Sequence, residues 1–182
     1  MKFILALLFI FAFTWNIGNA ERFIYEEGAW RISHDIDDFE DRESINVSTN
    51  SADGEANMQI LAQVGHGGLT VIMFINNNPC EGGEPNIDFN KPSGNFKFRV
   101  KKREVIETFG FWPQQTLGEE EKRDLFLLNT TKQLIDELFV GDVIKVRFND
   151  NHCPTYPHID FEFTLKDFSI VFDKYIKPIL LK

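Results

Sequence analysis

Asn95-Phe96-Lys97-Phe98-Arg99-Val100-Lys101-Lys102-Arg103 alternates apolar and basic side chains with a period of two. Phe96, Phe98 and Val100 fall on one side, and Lys97, Arg99, Lys101 and Arg103 on the other. Successive side chains of a strand point to opposite faces, so the run predicts a half-buried strand, apolar toward a core and basic outward. The same pattern recurs downstream. Ile144, Val146 and Phe148 alternate with Lys145 and Arg147 between Val143 and Asn149, and Ile159, Phe161, Phe163 and Leu165 alternate with Asp160, Glu162 and Thr164. Upstream, Trp30 to Ser33, Ser44 to Thr49, Asn57 to Val64 and Leu69 to Ile75 are short runs bounded by turn residues, as strands are. Gly65-His66-Gly67-Gly68 suits a hairpin between the last two of these runs. The run Leu69 to Ile75 is apolar on both faces and is expected at the centre of the sheet.

Two segments carry a helical period instead. Thr130 or Thr131 is placed to cap Lys132 to Phe139, where Leu134, Ile135 and Leu138 share a side and Gly141 stands at the stop. Phe168, Val171, Phe172 and Tyr175 recur at i, i+3, i+4 and i+7, predicting a terminal helix that lies on the sheet and ends at Pro178. The fold class expected is therefore mainly β, an antiparallel β-sandwich or curled sheet with two short helices, one of them C-terminal.

The composition agrees with a packed fold. Among 182 residues, 43% are apolar and 26% charged, and 25 aromatics, 19 of them Phe, supply one real core. One β-rich domain over residues 21–182 is the expectation. With 19 basic against 28 acidic residues the formal charge is -9, which disfavours non-specific nucleic-acid binding through phosphate contacts.

Residues 1–20 read as an export signal: Lys2, then an almost unbroken apolar run from Phe3 to Trp15, then Gly18-Asn19-Ala20 with small residues where a peptidase cuts. About 13 apolar residues are too few to span a bilayer core as a helix, so cleavage after Ala20 and a chain without stable membrane insertion are expected. Export places Cys80 and Cys153, the two cysteines, where a bridge forms, closing 74 residues counting both ends and contributing about 4 kcal/mol by chain entropy. The rival reading is zinc held by His152, Cys153 and His158, but this proline-rich segment lacks the usual ligand spacings, and neither a metal nor a cofactor is expected.

Few motifs carry chemistry. Asp35 to Asp41 offers oxygen ligands for calcium without the glycine or the terminal Glu of a binding loop, and reads as a solvated acidic loop. Glu119-Glu120-Glu121 reads as a solvated turn or helix start, and the glycines of Asn76 to Gly83 match no phosphate-binding spacing. Neither a nucleophile elbow nor a zinc-protease helix occurs. Asn46-Val47-Ser48 and Asn129-Thr130-Thr131 fit the N-glycosylation pattern, which matters only in a eukaryotic host. The face of Lys97, Arg99, Lys101 and Arg103, joined by Lys145 and Arg147 on a neighbouring strand, stands out against the acidic background as the candidate partner-binding site. Pairing of these bases with Asp160, Glu162 and other acids is the alternative use of the same residues. Phe109-Gly110-Phe111-Trp112-Pro113 is a second candidate surface, aromatic and turn-like.

The succession of Trp30 to Ser33, an acidic loop, Glu43 to Asn50, Leu69 to Ile75, Asn95 to Val100, the helix near Leu134 to Phe139 and the closing Phe161 to Leu165 with Phe168 resembles a class of exported single-domain β-sandwich proteins of bacteria and phages, including those similar to type VI secretion accessory proteins and to invasion-associated locus B. The resemblance spans roughly residues 28 to 176. It implies a periplasmic or secreted location and a β-sandwich with appended helices, and it brings no established catalytic residues to carry over; the Asn- and Gly-rich loop and the two-cysteine arrangement depart from it. The function expected is a non-enzymatic accessory or binding protein of the cell envelope, engaging a protein partner through its sheet surface. A specialised form is an inhibitor of a cell-wall hydrolase such as lysozyme, since an acidic β-protein complements a cationic enzyme. The remaining alternative is an envelope hydrolase using a carboxylate pair.

Overall fold

The computed structural model describes residues 21–37, 40–65, 67–76, 92, 94–111, 123–151 and 158–182. The signal segment, Cys80, Cys153, His152, Trp112-Pro113 and Glu119 to Glu121 lie outside the described residues.

Ten strands form one antiparallel sheet: β1 (Glu21–Glu27), β2 (Trp30–Asp37), β3 (Arg42–Asn50), β4 (Ala56–Gln63), β5 (Leu69–Asn76), β6 (Gly94–Val100), β7 (Ile106–Phe111), β8 (Arg123–Leu128), β9 (Val143–Asp150) and β10 (Ile159–Thr164). Their spatial order is β1-β2-β3-β4-β5-β8-β7-β6-β9-β10. The chain climbs through five neighbours, crosses to β6, returns through β7 and β8, and crosses again to β9. As its apolar runs predict, β5 is central, between β4 and β8.

The sheet is one and curled, of the two arrangements the sequence allows. Strands β3 and β10 stand seven places apart in the order, yet Ser51, just past β3, bridges Phe163 of β10, and the Ala52 N–H donates to the Glu162 carbonyl at 2.8 Å. The curl follows from burial. Ile45, Val47, Met58, Ile60, Val71, Met73, Phe96, Phe98, Phe126, Val146, Phe148 and Phe163 are all buried, alternating with outward residues, and one core gathers them. Each such side chain contributes roughly 1.5–3 kcal/mol by leaving water.

At one end of this core Phe96, Phe126 and Phe148 meet with ring centroids 4.9–5.4 Å apart. Gly94 and Gly110, opposite each other on β6 and β7, leave the space: a Cβ at Gly94 would lie 2.5 Å from Phe148, and one at Gly110 2.6 Å from Phe96.

Helix α1 (Lys132–Leu138) buries Leu134 and Leu138, and Thr131 caps it, its hydroxyl accepting from the Leu134 N–H at 3.2 Å. The Thr130 hydroxyl is used differently, accepting from the Val71 N–H at 2.9 Å and so tying the end of β8 to β5. The terminal helical run begins as α2 (Phe168–Val171), widens into a π turn over Phe172–Ile176 and continues as α3 (Lys177–Leu180). Pro178 therefore does not end it. Proline has no N–H for the carbonyl four residues back, and the π turn, in which the Lys177 N–H donates to the Phe172 carbonyl, absorbs the mismatch so that Pro178 sits in the first turn of α3. Val171, Ile176 and Ile179 pack into the core. Phe168 lies 5.0 Å from Trp30, whose indole N–H donates to the Lys166 carbonyl at 2.9 Å.

Besides β8, which falls where no strand is expected from the sequence, three strands depart from the sequence expectation. Strand β1 precedes the predicted first strand and is joined to β2 by Gly28-Ala29, a two-residue link with Gly28 at φ +60°, where a Cβ would also approach the Asp167 carboxylate to 2.9 Å. Phe109-Gly110-Phe111 is not a turn but the second half of β7. The third is β6, which ends at Val100 rather than Arg103, because Lys101 enters the left-handed region at φ +52° and the Arg103 N–H closes the turn on the Val100 carbonyl at 3.0 Å.

Candidate functional site

The outer faces of β6, β9 and β10 form a charged groove of about 460 Å³, floored by Lys97, Arg99, Lys145 and Arg147 and rimmed by Asp53, Asp160 and Glu162. The period of two that sends Phe96, Phe98, Val146 and Phe148 inward sends these residues outward. Register then arranges them in stripes. Lys97 stands opposite Arg147 and Arg99 opposite Lys145, so four bases make a square across β6 and β9. On the far side of β9, Arg147 faces Asp160 and Lys145 faces Glu162; on the far side of β6, Lys97 faces Glu107.

Three of the four bases are matched. Arg147 holds Asp160 through two hydrogen bonds of 2.7 Å, Lys97 meets Glu107 at 2.7 Å, and Lys145 meets Glu162 at 3.4 Å. The Arg147 guanidinium holds the Asp160 carboxyl below the usual carboxylate range. At the rim Asp53 accepts from the Ser51 hydroxyl at 2.5 Å and the Glu55 N–H at 3.0 Å, and these bonds depress it as well. Arg99 is exposed, has Lys145 opposite it on one side and no strand residue opposite on the other, and makes no ion pair among the described residues. Its unneutralised guanidinium is the groove's distinctive feature.

Lys101 and Arg103 are not part of this face. The turn at Lys101 redirects the chain, and Arg103 pairs at 2.8 Å with Glu137 of α1, a carboxylate only 10% exposed. Arg103 thus ties the β6–β7 turn to the helix. Lys97 and Arg99 remain of the four residues singled out by periodicity, with Lys145 and Arg147 beside them as their alternation indicates.

A second groove, of about 520 Å³, runs over the outer face of β1 to β5. An amide chain crosses it: Asn46 donates to Gln59 at 2.6 Å, Gln59 to Asn57 at 2.9 Å and Asn57 to Asn50 at 2.8 Å. The Asn46 Oδ1 is buried without a partner. Sequence reading missed this groove, although Asn57 and Gln59 already stand two apart. The Asn46 amide that a sequon would offer is engaged here, while Asn129 is exposed just past β8.

The acidic segment is divided. Asp35 and Asp37 belong to β2, Asp35 pairs with Arg22 at 2.5 Å, and Glu40 pairs with Arg42 at 2.8 Å. Among the described residues no three His, Cys, Asp or Glu side chains converge as metal ligands. No helix among the described residues is long and apolar enough to cross a membrane. In comparisons with known proteins, no family model, no curated protein and no solved structure matches this chain.

Proposed function

We propose that this chain is a non-enzymatic, exported binding module of the cell envelope that engages a protein partner through the charged outer face of β6, β9 and β10. One observation carries the reading: Arg99 sits beside Lys145 with no carboxylate of its own, in a groove whose other bases are neutralised within the fold. Like charges directly opposite on a sheet are destabilising, and a carboxylate from outside relieves that cost. The surrounding acid and base stripes then select among acidic partners, since a purely anionic surface would meet Asp53, Asp160 and Glu162 at the rim. The export signal read in residues 1–20 and the resemblance to exported β-proteins support the envelope location.

The test is in-cell crosslinking of the tagged chain in its native envelope, read by mass spectrometry, beside an Arg99→Glu/Lys145→Glu form of equal abundance and thermal midpoint. A specific protein captured by the native form and lost from the charge-reversed form is the expected result. Capture that is indifferent to the reversal removes the site, and reproducible absence of any partner removes the function.

A further inference from the structure

The open edge of β1 is self-complementary, and we infer that it is the contact through which two copies of this chain pair as an antiparallel dimer. An exposed edge strand is a template for another strand, and proteins blunt it with proline, lysine, a bulge or a cover. Strand β1, Glu21-Arg22-Phe23-Ile24-Tyr25-Glu26-Glu27, carries neither proline nor lysine, its charges lie at its two ends around an apolar centre, and no described strand lies on its outer side. Phe23, Ile24 and Tyr25 are 40%, 52% and 42% exposed, a consecutive apolar run held out on the rim of the sheet. The opposite edge differs, since β10 is engaged by Ser51 and Ala52.

The hairpin geometry fixes which backbone groups face outward. Glu27 and Trp30 flank the two-residue link, so they form a hydrogen-bonded pair, and such pairs alternate along an antiparallel ladder. Glu27, Tyr25, Phe23 and Glu21 therefore bond to β2, and the N–H and C=O groups of Arg22, Ile24 and Glu26 point to the open side. A two-fold axis through Ile24 sets Ile24 against Ile24 of the second copy and makes all three outward residues hydrogen-bonding positions. In that register Arg22 meets Glu26 of the second copy, twice by symmetry, and Phe23 meets its Tyr25. Glu26 makes no ion pair among the described residues. Arg22 gives its Nε to Asp35, which leaves its terminal nitrogens to reach across. The outermost pair, Glu21 against Glu27, does not set two bare carboxylates together, because Glu27 already binds Lys174 at 2.7 Å. On the aromatic side each ring has a neighbour within the chain: Tyr25 stacks on Tyr175 at 5.7 Å, and Phe23 lies 6.2 Å from His34.

Charge-paired variants test the register as well as the dimer. The protein, expressed from its full-length reading frame, is measured by light scattering and sedimentation over a concentration series. The native chain is expected to dimerise; Ile24→Pro, which deletes an outward N–H at a position where an edge strand tolerates proline, is expected to stay monomeric with an unchanged circular dichroism spectrum. Arg22→Glu alone and Glu26→Arg alone each place like charges opposite and are expected to weaken the dimer about tenfold or more, whereas an equimolar mixture of the two restores both ion pairs and reassociates as a heterodimer. A native chain that is monomeric throughout overturns the inference. So does a dimer indifferent to Ile24→Pro, or a mixture that associates no better than either variant alone.

Discussion

Gly94 and Gly110 are the residues at which the core is least forgiving, because an added Cβ meets rigid aromatic rings rather than flexible chain ends. Gly110→Ala would press on the Phe96 ring and on the Cβ of Phe126, 3.0 Å away, where Phe96 is already packed against Phe126 and Phe148. Overpacking of this kind costs about 1–3 kcal/mol, read as an earlier urea midpoint with an unchanged slope and a thermal midpoint lower by roughly 2–4 °C per kcal/mol. A midpoint within error of the native one would show that the aromatic cluster yields. The two arginines of the predicted basic run separate by the same measurement. Arg103→Ala strands the nearly buried Glu137, one of whose oxygens already lacks a partner, and is expected to cost about 1–2 kcal/mol, less than a fully buried pair because Arg103 is half exposed. Arg99→Ala breaks no ion pair among the described residues and is expected to stay within about 0.5 kcal/mol. Equal losses from the two would remove the distinction between a structural and a free base.

At the scale of elements, what was legible is what alternates. Strands β6, β9 and β10 show a period of two because one face is buried and the other wet, and β3 to β5 follow from short apolar runs between turn residues. The strands that escaped do not alternate in that way. In β1 Phe23, Ile24 and Tyr25 are contiguous and exposed on both faces; in β8 Leu125, Phe126, Leu127 and Leu128 are contiguous; and in β7 the inward position at Gly110 is a glycine, which reads locally as a turn and is explained only by Phe96 from the next strand. The two candidate bases that left the site did so at Lys101, whose positive φ is not written in any residue type that favours it. The amide chain at Asn46 escaped for a further reason, because it is assembled from β3 and β4 through register. Helix α1 was legible from its cap, and the cap can be weighed. Seven residues are too few to be stable by propensity, so Thr131→Ala is expected to cost about 1 kcal/mol and Thr131→Ser, which keeps the oxygen, little. Equal loss in the alanine and serine variants would assign the stabilisation to the threonine methyl instead.

Across the whole molecule, acid should act on a small set of held carboxylates against a background of relaxing repulsion. The formal charge of -9 is self-repulsive, and protonation toward the isoelectric point near 4.9 relieves it, so stability is expected to be level or to rise slightly as pH falls from 7 to about 5. Below that the held groups decide. Glu43 is depressed chiefly by its bond from Lys182, with His34 at 2.9 Å on its other oxygen; Asp160 is depressed by Arg147 and Asp53 by the Ser51 hydroxyl. A carboxyl whose folded pKa lies below its unfolded value of about 4 binds protons first in the unfolded chain. Its stabilisation is complete above that value and disappears as pH falls through the folded pKa. Thermal midpoints are therefore expected to fall steeply below about pH 4, where the bonds joining β2 and β3 to Lys182, and β9 to β10, are protonated away. Glu43→Gln and Asp160→Asn are each expected to cost no more than about 1 kcal/mol at neutral pH, since both carboxylates retain solvent contact, and to flatten the acid limb of the profile. Should both variants keep the full acid limb, the loss comes from the net positive charge of the protonated chain, and the pairs at Glu43 and Asp160 would be spectators of the fold rather than ties between its strands.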